Sequence, residues 1–322
     1  MDETAMELGK SGLRVPPLGT GCWAWGDRLF WGYGRNYSRE DIRQAFQISL
    51  DQGIRFFDTA EVYGFGQSEK YLGSFLQELG EGRPIIVATK FFPYPWRLTS
   101  RGVVRALHSS LQRLNLPAVD LYQIHWPTPP WRMELWMEGL ATAVQEGLVR
   151  AVGVSNFNAE LTQRAYESLA KRGILLATNQ VQYNLLDRSP ERTGLDQACR
   201  DLGVTIIAYS PLAQGLLTGK YSLQNPPSGA YRRRQWGQAL HRTAPLIATL
   251  REIGQAHGGK TPSQVALNWV ICKGALPIPG AKNATQAREN AGALGWRLTP
   301  EELALLDEAS SSSLDRGISG SG

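Results

Sequence analysis

Cysteine is scarce in this chain of 322 residues: there are three, Cys22, Cys199 and Cys272. They stand far apart, odd in number and without a Cys-x-x-Cys pair, which argues against a disulfide framework or a cysteine-built zinc site and for a reducing compartment. Histidine is almost as rare, with His108, His125, His241 and His257 alone and no His-x-His pair, so no metal site is expected. The chain lacks an apolar run of about 18 residues, and without one no membrane-spanning helix is expected. Its start, Met1-Asp2-Glu3-Thr4, is acidic and lacks the basic-then-apolar order of a secretory signal. A cytoplasmic location is expected, or the plastid stroma if a transit peptide has been removed. Charge of one sign is not concentrated either. Lys and Arg number 34 against 29 Asp and Glu, a net charge of +5, and Arg232-Arg233-Arg234 is the one basic run. That distribution offers no nucleic-acid footprint and suits a small anionic ligand as well.

What is present is an ordinary globular composition, 42% hydrophobic and 20% charged, with ample material for a core. Residues 6–16 read as a hairpin, Leu8 and Leu13–Val15 flanking the turn Gly9-Lys10-Ser11-Gly12. An alternation of strands and helices follows. Strands are expected at Leu18–Trp23, Ile54–Phe57, Pro84–Lys90, Leu121–His125, Val149–Asn156, Ala177–Tyr183, Val204–Tyr209 and Ala275–Pro279. Between them, Ser38 with Asp41 opens a helix as a capping-box variant, and Ser68–Leu79 forms a second. Val104, Leu107, Leu111 and Leu114 share one face of a third. Further helices are expected around Trp136–Gln145 and at Ala159–Lys171, Gly194–Leu202 and Pro245–His257. Thr261-Pro262 starts an additional helix, another runs from Thr285, and Thr299-Pro300-Glu301-Glu302 caps the last.

Successive strand–helix units imply parallel strands with right-handed crossovers, in either a doubly wound sheet or a closed barrel. The sheet should open with Gly-x-Gly-x-x-Gly. Here Gly19-Thr20-Gly21 runs on to Trp23 and Ala24, and Gly64-Phe65-Gly66 to Glu69, so the third glycine is missing in both. The expected fold is therefore a (β/α)8 TIM barrel, one domain over 1–322, with an N-terminal hairpin, extra C-terminal helices and a frayed tail over Ser310–Gly322. The long irregular segments, 24–37, 126–135 and 220–243, all follow strands, on the face where barrels build their sites.

The strand ends carry chemistry. Asp58, Lys90, His125, Asn156 and Tyr209-Ser210 close five of them, and Asn179 and Gln180 lie in another. Singly, each has an ordinary reading as a strand cap, a solvated tip or a packed histidine. A Schiff-base reaction would use Lys90 and leave the rest without work. Reduction of a carbonyl uses all of Asp58, Tyr63, Lys90 and His125. Tyr63 gives the proton, Lys90 lowers the phenol from its ordinary pKa of about 10, Asp58 keeps Lys90 charged and His125 holds the carbonyl.

The runs Phe-Asp-Thr-Ala-Glu-Val-Tyr-Gly (57–64), Ala-Thr-Lys (88–90) and Gln-Ile-His-Trp (123–126) resemble the aldo-keto reductase superfamily, and the likeness extends over roughly residues 6–308. It implies a catalytic tetrad of Asp58, Tyr63, Lys90 and His125 and the cofactor NADP(H). Ser155, Asn156 and Gln180 would hold the nicotinamide carboxamide and Tyr209 would stack on its ring. Gly21, Cys22 and Trp23 also fall to the cofactor, as does the pyrophosphate loop with Ser210, Pro211, Leu212, Gly215 and Lys220. Gly280 and Lys282 would face the adenosine 2′-phosphate, with Arg233 as a second clamp, and Gln286, Glu289 and Asn290 the adenine. Many members have a Lys-Ser pair directly after Ile-Pro, where this chain has Gly280-Ala281 and its lysine two residues later.

Trp23–Gly26, Tyr94–Ser100, Asn268–Gly274 and Gly292–Trp296 are similar to the pyridoxal reductase-like branch. The substrate class implied is a small carbonyl compound, pyridoxal or another aryl aldehyde, in a pocket of Trp25, Trp31, Trp96 and Trp126. A monomer or weak oligomer is expected. The contrasting reading within the same resemblance is an NADPH-binding regulatory subunit of the channel β-subunit type, with little steady-state turnover.

Overall fold

The computed structural model describes residues 5–80, 84–127, 133–222, 225 and 230–314, without the side chains of 230–238 and 312–314. The chain opens with β1 (Met6–Glu7) and β2 (Arg14–Val15), an antiparallel pair with Met6 opposite Val15. Eight parallel strands follow: β3 (Gly19–Gly21), β4 (Phe56–Asp58), β5 (Ile86–Phe91), β6 (Val119–Ile124), β7 (Val149–Ser155), β8 (Leu176–Gln182), β9 (Thr205–Tyr209) and β10 (Leu276–Pro277). Each pairs with its neighbour in chain order. The ring closes where the Gly21 N–H donates to Pro279 O at 3.0 Å, with a parallel bridge from Gly21 to Gly280. This is the expected barrel, and the hairpin is where the sequence places it.

The helices outside it are α1 (Arg39–Asp51), α2 (Gln67–Leu79), α3 (Ser100–Leu114), α4 (Met133–Gln145), α5 (Ala159–Ala170), α6 (Ser189–Arg192), α7 (Leu195–Leu202), α8 (Ala230–Ala256), α9 (Pro262–Cys272), α10 (Ala284–Ala291) and α11 (Pro300–Leu314). Among the described residues no helix is long and apolar enough to cross a membrane.

The caps explain the helix starts. Ser38 and Asp41 form a full capping box for α1, and Thr261 and Gln264 do the same for α9. Thr299 and Glu302 exchange bonds of 2.8 and 3.2 Å at the start of α11. Each pair satisfies backbone donors that a helix leaves orphaned.

The hairpin seals the end of the barrel at which the strands start. Leu8, Leu13 and Val15 pack with Phe56, Ala88, Leu121, Ala151, Ala177, Ile207, Leu276 and Ile278 as a buried inner layer. Gly9 is required at the turn: its φ is +58°, and a Cβ there would stand 2.7 Å from Ala177 O. With that end filled by apolar side chains, the polar strand ends can gather only at the opposite mouth.

Three local expectations are corrected. In α3 it is Val103 that turns inward with Leu107, Leu111 and Leu114, whereas Val104 is half-buried; the stripe is centred one residue earlier. Helix α8 begins at Ala230 and runs through Pro245 rather than starting there, so part of the segment expected to be irregular is helical. Leu240, Leu246, Leu250 and Ile253 are buried on both sides of the proline, and that packing offsets the missing hydrogen bond. The tail expected to fray at Ser310 continues α11 to Leu314, because Ser310 is buried and its Oγ donates to Leu185 O at 2.5 Å. Residues 315–322 lie outside the described residues.

Trp25 is the largest correction. It has no exposed surface, so it cannot line a pocket. Its ring meets Phe46, Phe57 and Phe75 at centroid distances of 6.4, 6.2 and 5.7 Å, and its Nε1 donates to Ala281 O at 2.8 Å. Trp25→Ala should therefore cost about 3–5 kcal/mol in a urea titration. Trp96→Ala, at a residue that is 73% exposed, should cost about 1 kcal/mol or less. Equal losses would show that Trp25 carries no special share of the core.

Candidate active site

The site begins with a buried ion pair. β4 ends in Asp58, and Lys90 stands on the neighbouring β5, one residue before its end. The Lys90 ammonium donates to Asp58 Oδ1, to Thr59 O at 2.9 Å and to the Tyr63 hydroxyl at 3.3 Å. An ammonium has three N–H donors, and all three are used. Burial opposes its charge, but Asp58 and Tyr63 outweigh burial and hold its pKa above the ordinary lysine value. The second Asp58 oxygen accepts from Gln180 Nε2 at 2.9 Å and Gln123 Nε2 at 3.3 Å. Gln123 is a residue that sequence reasoning missed. The signal was available: two residues before His125 on one strand, it faces the same side.

Tyr63 is set by a tight turn directly after the strand end. Gly64, Phe65 and Gly66 have φ of 55°, 56° and 85°, and a Cβ on Gly64 would lie 2.8 Å from Gly26 O. Phe65, which is not a glycine, takes this left-handed conformation while 87% exposed, a strain of the kind that gathers at functional sites. The expectation that Lys90 lowers the phenol below its ordinary pKa is corrected. Burial raises it and outweighs the opposing pull of Lys90, so Tyr63 is held protonated.

His125 follows β6, with its N–H on Phe91 O at 2.9 Å. Its ring is edge-on to Tyr63 at 5.8 Å and to Phe92 at 5.7 Å. Burial, then Lys90, lowers its pKa to about 3, so the imidazole is neutral. Its Nδ1 is buried without a partner among the described residues.

A second network abuts the first. Asn156 has φ of 63°; its Nδ2 donates to His125 O at 3.2 Å and Ser155 Oγ at 3.0 Å. Tyr209 donates its hydroxyl to Asn156 Oδ1 at 3.0 Å, and burial, then Tyr63, raises its pKa to about 12. Ser155 Oγ donates to Gln180 O at 2.8 Å. Gln180 therefore joins Asp58 to Ser155 and Asn156. Asn179, expected at the same mouth, alternates to the other face of β8 and donates to Phe157 O and Thr162 Oγ1.

The loops after β3, β9 and β10 complete one side. Gly21 closes the barrel and Trp23 lies 6.2 Å from the Tyr63 ring. Cys22 is wholly buried, with its N–H on Asp58 O at 2.8 Å, so the segment offers a ligand only its neighbours. After β9, Ser210 (φ 49°), Ala213 (48°), Gln214 (54°) and Gly215 (105°) make a strained turn around Pro211 and Leu212, and Lys220 is exposed beyond it. Asn283 caps α10, and Gln286 Oε1 accepts the Lys282 N–H at 2.9 Å. Asn290 Nδ2 donates to Gly280 O at 3.3 Å, and Glu289 accepts from Thr261 Oγ1. The Lys282 ammonium stands 4.3 Å from the Trp31 ring centroid. The side chain of Arg233 lies outside the described residues.

Aromatic residues rim the other side. Trp96 stacks on Tyr94 at 4.7 Å, and Trp126 lies 6.4 Å from His125. A second missed residue, Glu61, holds this rim. Its carboxylate accepts from Phe92 N at 2.6 Å and Arg97 Nη2 at 2.9 Å, and Arg97 Nη1 also reaches it.

The depressed pKa of His125 carries a stability consequence. Its unfolded value is about 6.5, so stability is complete above that pH and falls as the unfolded chain takes up a proton that the fold refuses. Between pH 6.5 and the folded value near 3 the loss should reach about 1.4 kcal/mol per pH unit. In urea unfolding, His125→Asn should be less acid-sensitive than the natural chain by that slope. Parallel pH dependence would mean that His125 takes up a proton readily in the fold.

The chain resembles known proteins over nearly its whole length. The profile of the Aldo/keto reductase family matches residues 17–311. The chain is 43% identical to a chloroplastic pyridoxal reductase of Arabidopsis thaliana over 94% of this chain and 85% of that one. It is 31% identical to the aldo-keto reductase YhdN of Bacillus subtilis, covering 92% and 90%. Its structure resembles a glycerol dehydrogenase from Gluconobacter oxydans with a TM-score of 0.84 at 26% identity, covering 99% and 98%. It also resembles an aldo/keto reductase from Klebsiella pneumoniae solved with NADP and acetate, with a TM-score of 0.74 at 28% identity, covering 95% and 94%. A match over nearly the whole barrel, with the acid, phenol, lysine and imidazole gathered at one mouth, establishes that this chain is an oxidoreductase belonging to the aldo/keto reductase family.

Proposed function

We propose that the chain reduces an aldehyde or ketone to the alcohol with NADPH, Tyr63 delivering the proton to the carbonyl oxygen. The observation that carries this reading is the buried ammonium of Lys90, shared between the Asp58 carboxylate and the Tyr63 hydroxyl. The residues present suit the cofactor: a ring of Tyr209 beside Asn156, a turn of strained backbone after β9, and Lys282 just ahead of the α10 N-terminus, where anions are favoured. NADPH, when bound, supplies the hydride.

The protein's own part is the proton. Burial keeps Tyr63 protonated until the carbonyl oxygen becomes basic. As the proton leaves, the tyrosinate forms 3.3 Å from a fixed cation, and no solvent has to reorganise around it. Asp58 prevents Lys90 from giving up its own proton instead. His125, neutral throughout the working range, offers a ring N–H to the carbonyl and does not act as an imidazolium acid. Tyr63 regains its proton from water at the mouth.

NADPH rather than NADH is supported by Lys282, by the NADP in the Klebsiella structure and by a Schizosaccharomyces pombe relative, 32% identical, named for NADP(+). For the substrate, the name of the Arabidopsis relative and the rim of Trp23, Trp96 and Trp126 support pyridoxal or another aryl aldehyde. That relative is chloroplastic, which supports the plastid.

The deciding measurement is loss of nicotinamide absorbance with pyridoxal, 4-nitrobenzaldehyde and methylglyoxal, with Tyr63→Phe as control. Turnover should favour pyridoxal. Tyr63→Phe should lower kcat about 100- to 10,000-fold while NADPH affinity stays within about twofold. Turnover with the other carbonyls alone would remove pyridoxal and keep the chemistry. No turnover despite tight NADPH binding would replace the reductase by a cofactor-sensing subunit. The reduction rate should be level through the neutral range and fall only above the ordinary phenol range; a limb at the histidine value of about 6.5 would transfer the proton-donor role to His125.

A further inference from the structure

Trp31 was expected in the substrate pocket, and its ring also meets a lysine that was expected at the other end of the cofactor site. The Lys282 ammonium lies 4.3 Å from the Trp31 ring centroid and 5.4 Å from that of Tyr37. Two aromatic faces within about 6 Å of one cation make a favourable electrostatic seat.

Both sides of the seat are fastened. Asp27 Oδ1 accepts the N–H groups of Phe30 at 2.7 Å and Trp31 at 3.1 Å, and its carbonyl accepts from Tyr33 N at 2.9 Å. The Tyr37 hydroxyl donates to Ala24 O at 2.6 Å. The loop that carries these rings is joined to the lysine loop by the Trp25 bond to Ala281 O, one residue before Lys282. On the lysine side, Gln286 accepts the Lys282 N–H, which fixes the backbone from which the side chain departs.

We propose that Trp31, assisted by Tyr37, is a positioning residue that sets the preference for NADPH over NADH by holding the Lys282 ammonium where the 2′-phosphate arrives. The inference rests on the reading of Lys282 as the phosphate contact. An unrestrained lysine gives up rotamer freedom when it captures an anion, an entropic cost that opposes capture. A ring face that seats the cation beforehand has already met that cost. It does so without adding a negative charge of its own, which would repel the incoming dianion. NADH, with a hydroxyl at the 2′ position, gains little from the same arrangement. Lys282 follows directly on Ala281, whose carbonyl Trp25 grips, and this places its ammonium within reach of loop 24–37.

The test is calorimetric titration of NADPH and NADH into the natural chain, Trp31→Ala, Trp31→Phe, Lys282→Ala and the double variant of Trp31→Ala with Lys282→Ala. Trp31→Ala should weaken NADPH about three- to thirty-fold and leave NADH within about twofold, which also shows that the loop is folded. Trp31→Phe should recover most of the loss. In the Lys282→Ala background, Trp31→Ala should have no further effect on NADPH. Equal losses for both cofactors, or tighter NADPH binding in Trp31→Ala, would overturn the proposal, the first by reducing Trp31 to loop packing and the second by making the ring a competitor of the phosphate. If Lys282→Ala discriminates between the cofactors and Trp31→Ala does not, the positioning role alone falls. If Lys282→Ala does not discriminate, the phosphate contact lies elsewhere and both readings fall.

Discussion

A positive and a negative charge, Lys90 and Asp58, are buried together inside the upper part of the barrel, and the site is built around the need to keep them satisfied. Removing either would leave the other buried without its counter-charge, which typically costs about 3–5 kcal/mol. The fold answers with a full complement of partners. Lys90 has Thr59 O and the Tyr63 hydroxyl beside the carboxylate, and Asp58 has amides from Gln180 and Gln123. These groups come from β4, β5, β6 and β8, so the pair holds half the strands of the barrel in register at the mouth. Below it the interior is apolar, sealed by Leu8, Leu13 and Val15 of the hairpin.

This arrangement separates the tasks. The ion pair sets where the phenol sits and what charge it faces. The network of Ser155, Asn156, Gln180 and Tyr209 lies on one flank and is tied to the pair through Gln180. The aromatic rim lies on the other and is held by Glu61 and Arg97. Loops can therefore differ around the mouth without disturbing the proton-transfer geometry, as expected of a barrel whose strands carry the chemistry and whose loops carry selectivity.

Much of this was legible along the chain because period and punctuation are local. The capping signals at Ser38, Thr261 and Thr299 sit where their helices begin, and the strand ends identify Asp58, Lys90 and His125 as neighbours once the strands are known to be parallel. Orientation was harder. Asn179 and Gln180 are adjacent, and only the pleat decides that one faces the mouth and the other α5. Trp25 and Trp31 follow the same strand, yet Trp25 is core and Trp31 seats a lysine from a loop some 250 residues later. Pro245 reads as a helix start because the bond it forfeits is local, whereas the buried leucines that carry α8 past it are contributed by packing against distant elements.

The sequence by itself determined the order of strands and helices, the barrel that order implies, and the acid, phenol, lysine and imidazole at the strand ends, because each depends on residue type and spacing within a few positions. The tertiary structure decided which side of each strand faces the mouth, that Gln123 and Gln180 share Asp58, and that Glu61 holds the aromatic rim. It also decided the direction in which the pKa of the phenol moves. A sequence shows that a lysine is available to lower the pKa of Tyr63, but the opposing effect of burial exists only once the barrel has closed around both, and there burial prevails. The physical reason is the same throughout: burial, dielectric and contact are properties of groups brought together from distant parts of the chain.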